Sequence, residues 1–240
     1  MRRLGQHFLS DQKILGRIAD ALDATPGETV LEIGPGRGAL TNVLLDRGLK
    51  VIAIERDRRL AAALQQQDLT VIAGDALQVD WPRGVKIVGN IPYNITSPLI
   101  DKALTPPVPE RVVFLVQAEV AERLVAKPGG KTYGALSVGV QAVCRVEKLF
   151  TVAPGAFRPP PKVRSALIRL TPLAQPLVMD VEVAPLRAFV TACFSKRRKQ
   201  LKNVVPEIDL EAMGFDPTIR PERLPPEAFV RLLRRAPPSR

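Results

Sequence analysis

The sequence predicts a doubly wound α/β sheet followed by a small helical domain, and three observations predict it. Short runs that are apolar throughout, such as TVLEI, KVIAIE and RVVFLVQ, alternate with helix-patterned segments between residues 10 and 126. Strands buried on both faces, with helices between them, indicate a parallel sheet. A glycine-rich turn, GPGRG at 34–38, joins the first of these strands to the helix after it. Beyond the proline-containing joint TPLAQP (171–176) only helical patterns remain, so the α/β domain is assigned to 1–174 and the helical domain to 175–240.

The elements follow in order. SDQKILGRIADAL (10–22) begins with Ser10 or Asp11 as a cap, and Ile14, Ile18 and Leu22 recur at helical spacing. TVLEI (29–33) is a strand, and GALTNVLLDRG (38–48) a helix stopped by Gly48. KVIAIE (50–55) is a strand, and DRRLAAALQQQ (57–67) a helix capped by Asp57. LTVIAG (69–74) and VKIVG (85–89) are strands, and ITSPLIDKAL (95–104) a helix. RVVFLVQ (111–117) is a strand and AEVAERLVA (118–126) a helix. LSVGVQAVCRVEKLFTV (136–152) and KVRSALIRL (162–170) are predicted as two long strands, an antiparallel pair at one sheet edge.

The balance of 35 Lys and Arg against 24 Asp and Glu gives a net charge of +11, which favours a polyanionic partner, nucleic acid before membrane. No apolar run approaches the ~20 residues a membrane span needs, and MRRLGQHFLSDQK lacks the apolar core of a signal peptide. Cys144 and Cys193 are the only cysteines and lie far apart, which argues for a reducing cytosol with no disulfide, zinc site or iron–sulfur cluster.

Doubly wound sheets bind ligands at the carboxyl ends of their strands. Those ends here carry Glu32-Ile33-Gly34-Pro35-Gly36-Arg37-Gly38, then Glu55, then Gly74-Asp75, then Asn90-Ile91-Pro92-Tyr93. A glycine loop entering a helix with an acid ~20 residues on is a nucleotide-binding pattern. The loop is not GxGxxG, no GxxxxGK[ST] occurs, and a second acid follows at Asp75. This combination suits a nucleoside ligand without phosphates, of which S-adenosyl-methionine is one. Glu55 would hold the ribose, Asp75 the adenine amine, and the turn around Gly34 and Gly36 the amino-acid part.

NIPY supplies chemistry for methylating an exocyclic amine, whose lone pair is conjugated into its ring. The Asn90 side-chain oxygen and the Ile91 carbonyl can each accept an amine proton, drawing the lone pair out of conjugation. Pro92 biases Ile91 toward an extended backbone, and Tyr93 offers a ring for base stacking.

QHFLSD (6–11), LEIGPGRGALT (31–41), IERD (54–57), GDAL (74–77), NIPYNI (90–95), TYGALSV (132–138), FRPPPKVRSALIRL (157–170) and FSKRRKQLKN (194–203) together resemble, in order, the ribosomal RNA adenine dimethyltransferase family. The resemblance spans nearly the whole chain. It implies a Rossmann-like methyltransferase domain with a small C-terminal helical domain, and S-adenosyl-methionine-dependent N6,N6-dimethylation of adenine. By motif, cofactor contacts fall on His7, Leu9, Gly34, Glu55, Asp75 and Asn90, and base contacts on Asn90, Ile91 and Tyr93. Phe157 would be a second stacking wall for a flipped adenine. Many relatives carry Asn where this chain has His7, which is expected to contact the methionine part of the cofactor rather than act as an acid or base.

Within the family, FSKRRKQLKN and TYGALSV resemble the small-subunit type, which acts on two adjacent adenines in a hairpin near the 3′ end of small-subunit rRNA. A cytoplasmic monomer acting on small-subunit rRNA or a precursor subunit is therefore expected. The alternatives are a large-subunit enzyme of the macrolide-resistance type and an assembly factor acting by binding. Against a mitochondrial transcription-factor relative stand the lack of a long targeting segment and the compact length, and against a DNA adenine methylase the FRPPPKV and RRK stretches.

Between residues 184 and 204, Arg187, Lys196, Arg197, Arg198, Lys199 and Lys202 occur with no acid, as expected for contacts to RNA phosphates. Replacing Arg197 and Arg198 with Ala is expected to weaken RNA binding and flatten its salt dependence, since fewer counterions are released. Filter binding across a salt series reads the slope, and a slope equal to wild type would return the cluster to ordinary solvated surface.

Overall fold

The computed structural model describes residues 7–196 and 198–237. The elements are β1 (Phe8–Leu9), α1 (Gln12–Leu22), β2 (Thr29–Ile33), α2 (Ala39–Asp46), β3 (Lys50–Glu55), α3 (Arg58–Ala63), β4 (Leu69–Ala73), β5 (Lys86–Asn90), α4 (Thr96–Ala103), β6 (Val112–Gln117), α5 (Ala118–Leu124), α6 (Ala135–Gln141), β7 (Cys144–Val152), β8 (Phe157–Arg158), β9 (Ser165–Pro172), α7 (Asp180–Ser195) and α8 (Pro226–Leu233). They form two compact units. One runs to Ala121 and resumes over Glu147–Pro172; the other comprises Glu122–Val146 and the chain from Leu173 onward. The division thus differs from a single boundary at 174/175, because 122–146 belongs with the C-terminal helices.

The sheet has the order β4-β3-β2-β5-β6-β9-β7. β4, β3, β2, β5 and β6 pair in parallel, and β9 runs antiparallel to β6. From β2 the chain winds outward through β3 to β4, then returns to β5 and winds the other way to β6. The switch point lies between β2 and β5. The central strands are dry on both faces: Val30, Leu31, Val88, Phe114 and Leu115 are all fully buried. Asp11 caps α1 by accepting from the Lys13 and Ile14 amides at 2.9 and 3.1 Å. Asp57 caps α3 in the same way, although that helix ends at Ala63 rather than at residue 67.

The segment LSVGVQ is helical, not a strand, so only the later part of the expected run, from Cys144, is extended. Val138 and Val140 carry a β-type signal, but Ser137 and Gln141, one turn apart, decide the matter. Ser137 Oγ accepts from the Gly134 amide and donates to the Arg123 carbonyl, while Gln141 Nε2 donates to the Leu124 and Ala126 carbonyls at 2.8 and 2.9 Å. The orphan carbonyls ending α5 are thereby satisfied by two residues that only a helix places on one face.

In the second unit, Val183, Leu186, Val190 and Cys193 form the buried stripe of α7. Tyr133, fully buried, donates its hydroxyl to the Leu224 carbonyl at 2.9 Å, and Phe194 packs between Tyr133 and Phe229 at ring-centroid distances of 6.0 and 5.6 Å. Glu182 accepts two hydrogen bonds from Arg234 at 2.8 and 2.9 Å and one from the Met179 amide, which hold its carboxyl well below the usual range.

At the switch point Gly89 pairs with Ile33, and a Cβ on residue 89 would stand 2.6 Å from the Ile33 carbonyl oxygen. Gly89→Ala must therefore push β5 away from β2. The expected cost is ~1–3 kcal/mol, typical of overpacking, measured by denaturant unfolding; an unchanged midpoint would show that the sheet yields there.

Candidate active site

Four strand ends and the N-terminal segment open into one cavity of about 720 Å³, within the ~300–1,000 Å³ usual for small-molecule sites. Backbone hydrogen bonds place each strand end against its neighbour. The Gly34 amide donates to the Ile54 carbonyl at 2.9 Å, the Gly74 amide to the Glu55 carbonyl at 2.9 Å, and the Ile91 amide to the Leu115 carbonyl at 3.0 Å. Gly34 and Gly36 have φ of +70° and +59°, a region disfavoured for residues with a Cβ. At Gly36 a Cβ would also meet the Phe8 ring at 3.0 Å.

Glu55, 3% exposed, accepts the Gly36 amide at 3.0 Å and the Asp57 amide at 2.8 Å, so its carboxylate is held rigid at the end of β3. Asp75 accepts the Leu77 amide at 3.0 Å, with Arg56 at 3.6 Å from its other oxygen. Asn90 Nδ2 donates to the His7 carbonyl at 2.9 Å, so the amide's Oδ1 is the atom left to accept. His7 Nδ1 donates to the Pro159 carbonyl at 2.8 Å, and its ring stacks on Tyr93 at 5.9 Å and 29°. Tyr93 Oη lies 2.8 Å from Ser165 Oγ. The antiparallel pairing of β1 with β8 holds the N-terminal segment in place.

Glu32, 1% exposed, also lines the cavity. Burial pushes its carboxyl up to about 7; the Thr41 hydroxyl, donating at 2.7 Å, opposes this, and the Glu55 charge adds to it.

The cavity lining includes His7, Leu9, Gly34, Gly36, Glu55, Asp75, Asn90, Ile91, Pro92 and Tyr93. Phe157 does not join them. Its ring is fully buried among core residues that include Leu9, Leu167 and Val152, so in this conformation it offers no face to a base; the neighbouring Arg158 reaches the cavity instead. Lys196, Arg198, Lys199 and Lys202 are exposed in the second unit. Arg187 is half-buried on α7, with its side chain against Gly139, and Arg197 lies outside the described residues. Sequence reasoning also overlooked Arg37, whose guanidinium sits 4.7 Å from the Phe8 ring centroid, and Ser165. Arg158 was visible as the second residue of FRPPP, whereas nothing in the sequence marks Ser165 as a partner of Tyr93.

The donors and acceptors present fit S-adenosyl-methionine: a fixed carboxylate at Glu55 for a ribose, an acid at Asp75 for an amine, and a backbone turn at Gly34–Gly36 open to close approach. Among the described residues no group of three or more His, Cys, Asp or Glu is placed to hold a metal ion, and no helix is long and apolar enough to cross a membrane. The Cys144 and Cys193 thiols are buried and pushed up to about 12.

A family model described as ribosomal RNA adenine dimethylase matches residues 1–234. The chain is 45% identical to the ribosomal RNA small subunit methyltransferase A of Pseudomonas aeruginosa, over 96% of this chain and 92% of that protein. Among solved structures it is similar to a dimethyladenosine transferase from Plasmodium falciparum, with a TM-score of 0.84 and 28% identity over 94% of this chain and 96% of that one. It is also similar to the 23S rRNA methyltransferase ErmE, with a TM-score of 0.75 and 30% identity over 95% and 98% of the two chains.

Because the folded carboxyl of Glu32 titrates above its ordinary value of 4.5, its protonated form favours the fold. That contribution is complete below the unfolded value and is lost as pH rises through about 7. Glu32→Gln is expected to remove this slope and to stabilise the protein at pH 8 by up to roughly 3 kcal/mol, with little effect at pH 4. Parallel pH profiles for variant and wild type in urea would refute the assignment.

Proposed function

Since the chain belongs to the ribosomal RNA adenine dimethylase family, whose model spans residues 1–234, we propose that it is an S-adenosyl-methionine-dependent enzyme that dimethylates the N6 amine of adenine in small-subunit rRNA. The observation that carries this reading is the convergence of Asn90–Tyr93 with Glu55 and Asp75 on one cavity. The small-subunit assignment is supported by the 45% identity to a small-subunit enzyme over nearly the full length, against 30% to ErmE. The substrate is a pair of adjacent adenines in a hairpin near the 3′ end of the RNA, presented within a precursor subunit. The enzyme acts as a monomer in the cytoplasm.

S-adenosyl-methionine, when bound, supplies an activated methyl group on a sulfonium. Glu55 accepts from the ribose hydroxyls, Asp75 accepts from the adenine amine of the cofactor, and the Gly34–Gly36 turn, with His7 and Leu9, holds the amino-acid end. The target adenine leaves its helix and stacks on Tyr93. Asn90 Oδ1, left as an acceptor by the bond from Nδ2 to His7, takes one proton of the target amine, and the Ile91 carbonyl takes the other. This arrangement withdraws the nitrogen lone pair from the ring and aligns it, and well-oriented groups can reach effective molarities of ~10⁵–10⁸ M. No general base is needed, because the proton leaves to water after transfer. Lys196, Arg197, Arg198, Lys199 and Lys202 contribute contacts to RNA phosphates, whereas Arg187, with its Nε and Nη2 buried, serves the packing of α7 instead.

The test is transfer of labelled methyl to unmethylated small subunits and, in parallel, to unmethylated large-subunit RNA, with the products digested to nucleosides. Dimethyladenosine from the small subunit alone is expected. Tyr93→Ala should lower turnover roughly tenfold to a hundredfold by removing a stacking face, with cofactor affinity nearly unchanged. Label in large-subunit RNA would move the assignment to that class, and a collapse of cofactor binding in Tyr93→Ala would remove the ring from the base site.

A further inference from the structure

Tyr93 sits half-buried in the short 3₁₀ turn after β5, and the only hydrogen-bond partner of its hydroxyl among the described residues is Ser165 Oγ, at 2.8 Å. Ser165 opens β9, is fully buried, and pairs with Gln117 where the strand runs antiparallel to β6. Its backbone is therefore fixed by the sheet, whereas Tyr93 is carried by a loop.

Either hydroxyl can supply the proton of this bond, since each both donates and accepts. Among the described residues Ser165 Oγ has no other partner, so the bond satisfies a hydroxyl on a fully buried residue, while Tyr93 lines the cavity.

We propose that Ser165 is a positioning residue for methyl transfer. Its hydroxyl anchors the outer edge of the Tyr93 ring to the sheet, so that the ring presents a fixed face to the target base. One anchor at the hydroxyl and one contact on the ring, from His7 at 5.9 Å, hold the side chain against rotation. A ring fixed before the base arrives costs less ordering entropy on binding than a ring free to turn. This inference rests on the adenine-methylating reading of the site.

Ser165→Ala and Tyr93→Phe remove the same bond from its two ends. Each is expected to lower kcat about five- to tenfold, the scale of one hydrogen bond, while calorimetric affinity for S-adenosyl-methionine stays at the wild-type value. The double variant should be no slower than the slower single variant, because there is one shared bond to lose. A readout without RNA uses 3-fluorotyrosine labelling, since Tyr93 and Tyr133 are the only tyrosines in the chain. In Ser165→Ala the ¹⁹F line of Tyr93 should shift and narrow while that of Tyr133 stays in place. Should Ser165→Ala lower the yield of folded protein, Tyr93→Phe tests the bond from its half-buried end.

Wild-type kcat in Ser165→Ala with an unmoved ¹⁹F line would overturn the inference. So would multiplicative losses in the double variant, or a loss of cofactor affinity that matches the loss of kcat. If wild type itself transfers no methyl group to any rRNA while the ¹⁹F line still shifts, the functional reading fails, and with it the catalytic purpose of a bond that nonetheless exists.

Discussion

Gly89 lies against Ile33 where β2 and β5 pair, so close that even one methyl group at residue 89 would stand 2.6 Å from a carbonyl oxygen. The sheet winds away from this pair in both directions, leaving a crevice above it that no crossover helix fills. Two consequences follow. The Gly34 turn and the Asn90 loop emerge side by side, so the residues proposed for the cofactor and those proposed for the base belong to one cavity. The outer neighbours of that pair fix both of them, since Gly34 is tied to Ile54 on β3 and Ile91 to Leu115 on β6. The geometry of the cavity floor is thus a property of the sheet, and the loops above it inherit that rigidity.

What the sequence made legible follows from how many alternatives each pattern allowed. β2 and β3 fall on TVLEI and KVIAIE to the residue, because runs buried on both faces have no other stable place in a domain of this kind. The acids at strand ends were readable for the same reason: once the strands are known, their carboxyl ends are known. LSVGVQ was misread because β-branched residues carry a weak preference that tertiary contacts overrule, and the carbonyls that Gln141 satisfies lie 15 and 17 residues away. The exchange of 122–146 into the second unit was invisible to a search for one linker, since the chain enters that unit twice.

Phe157 and Ser165 mark a different limit. A motif shows that FRPPPKVRS belongs near the site, but not which of its side chains turn toward the cavity. Phe157 alternates with Arg158 on a two-residue strand, so one must face inward and the other outward. The apolar ring takes the core and the guanidinium takes the rim. Ser165 meets Tyr93 across 72 residues of sequence, a pairing set by the register of β9 on β6. Neither fact is local, and local patterns are what a single sequence carries.

Charge, finally, sorts the parts of a nucleotide at this site. The chain as a whole carries +11, yet the cavity contains Glu32 and Glu55, at 1% and 3% exposure, together with Asp75. Shielded from water, the Glu55 carboxylate acts more strongly than a surface charge. It favours a cation and opposes a phosphate. Arg37, Arg56 and Arg158 also line the cavity but are exposed, which puts positive charge on its solvent side. On the proposed reading, the basic rim would hold the RNA backbone while the buried acid would disfavour phosphate deeper in, so a target base would reach the cavity by leaving its helix.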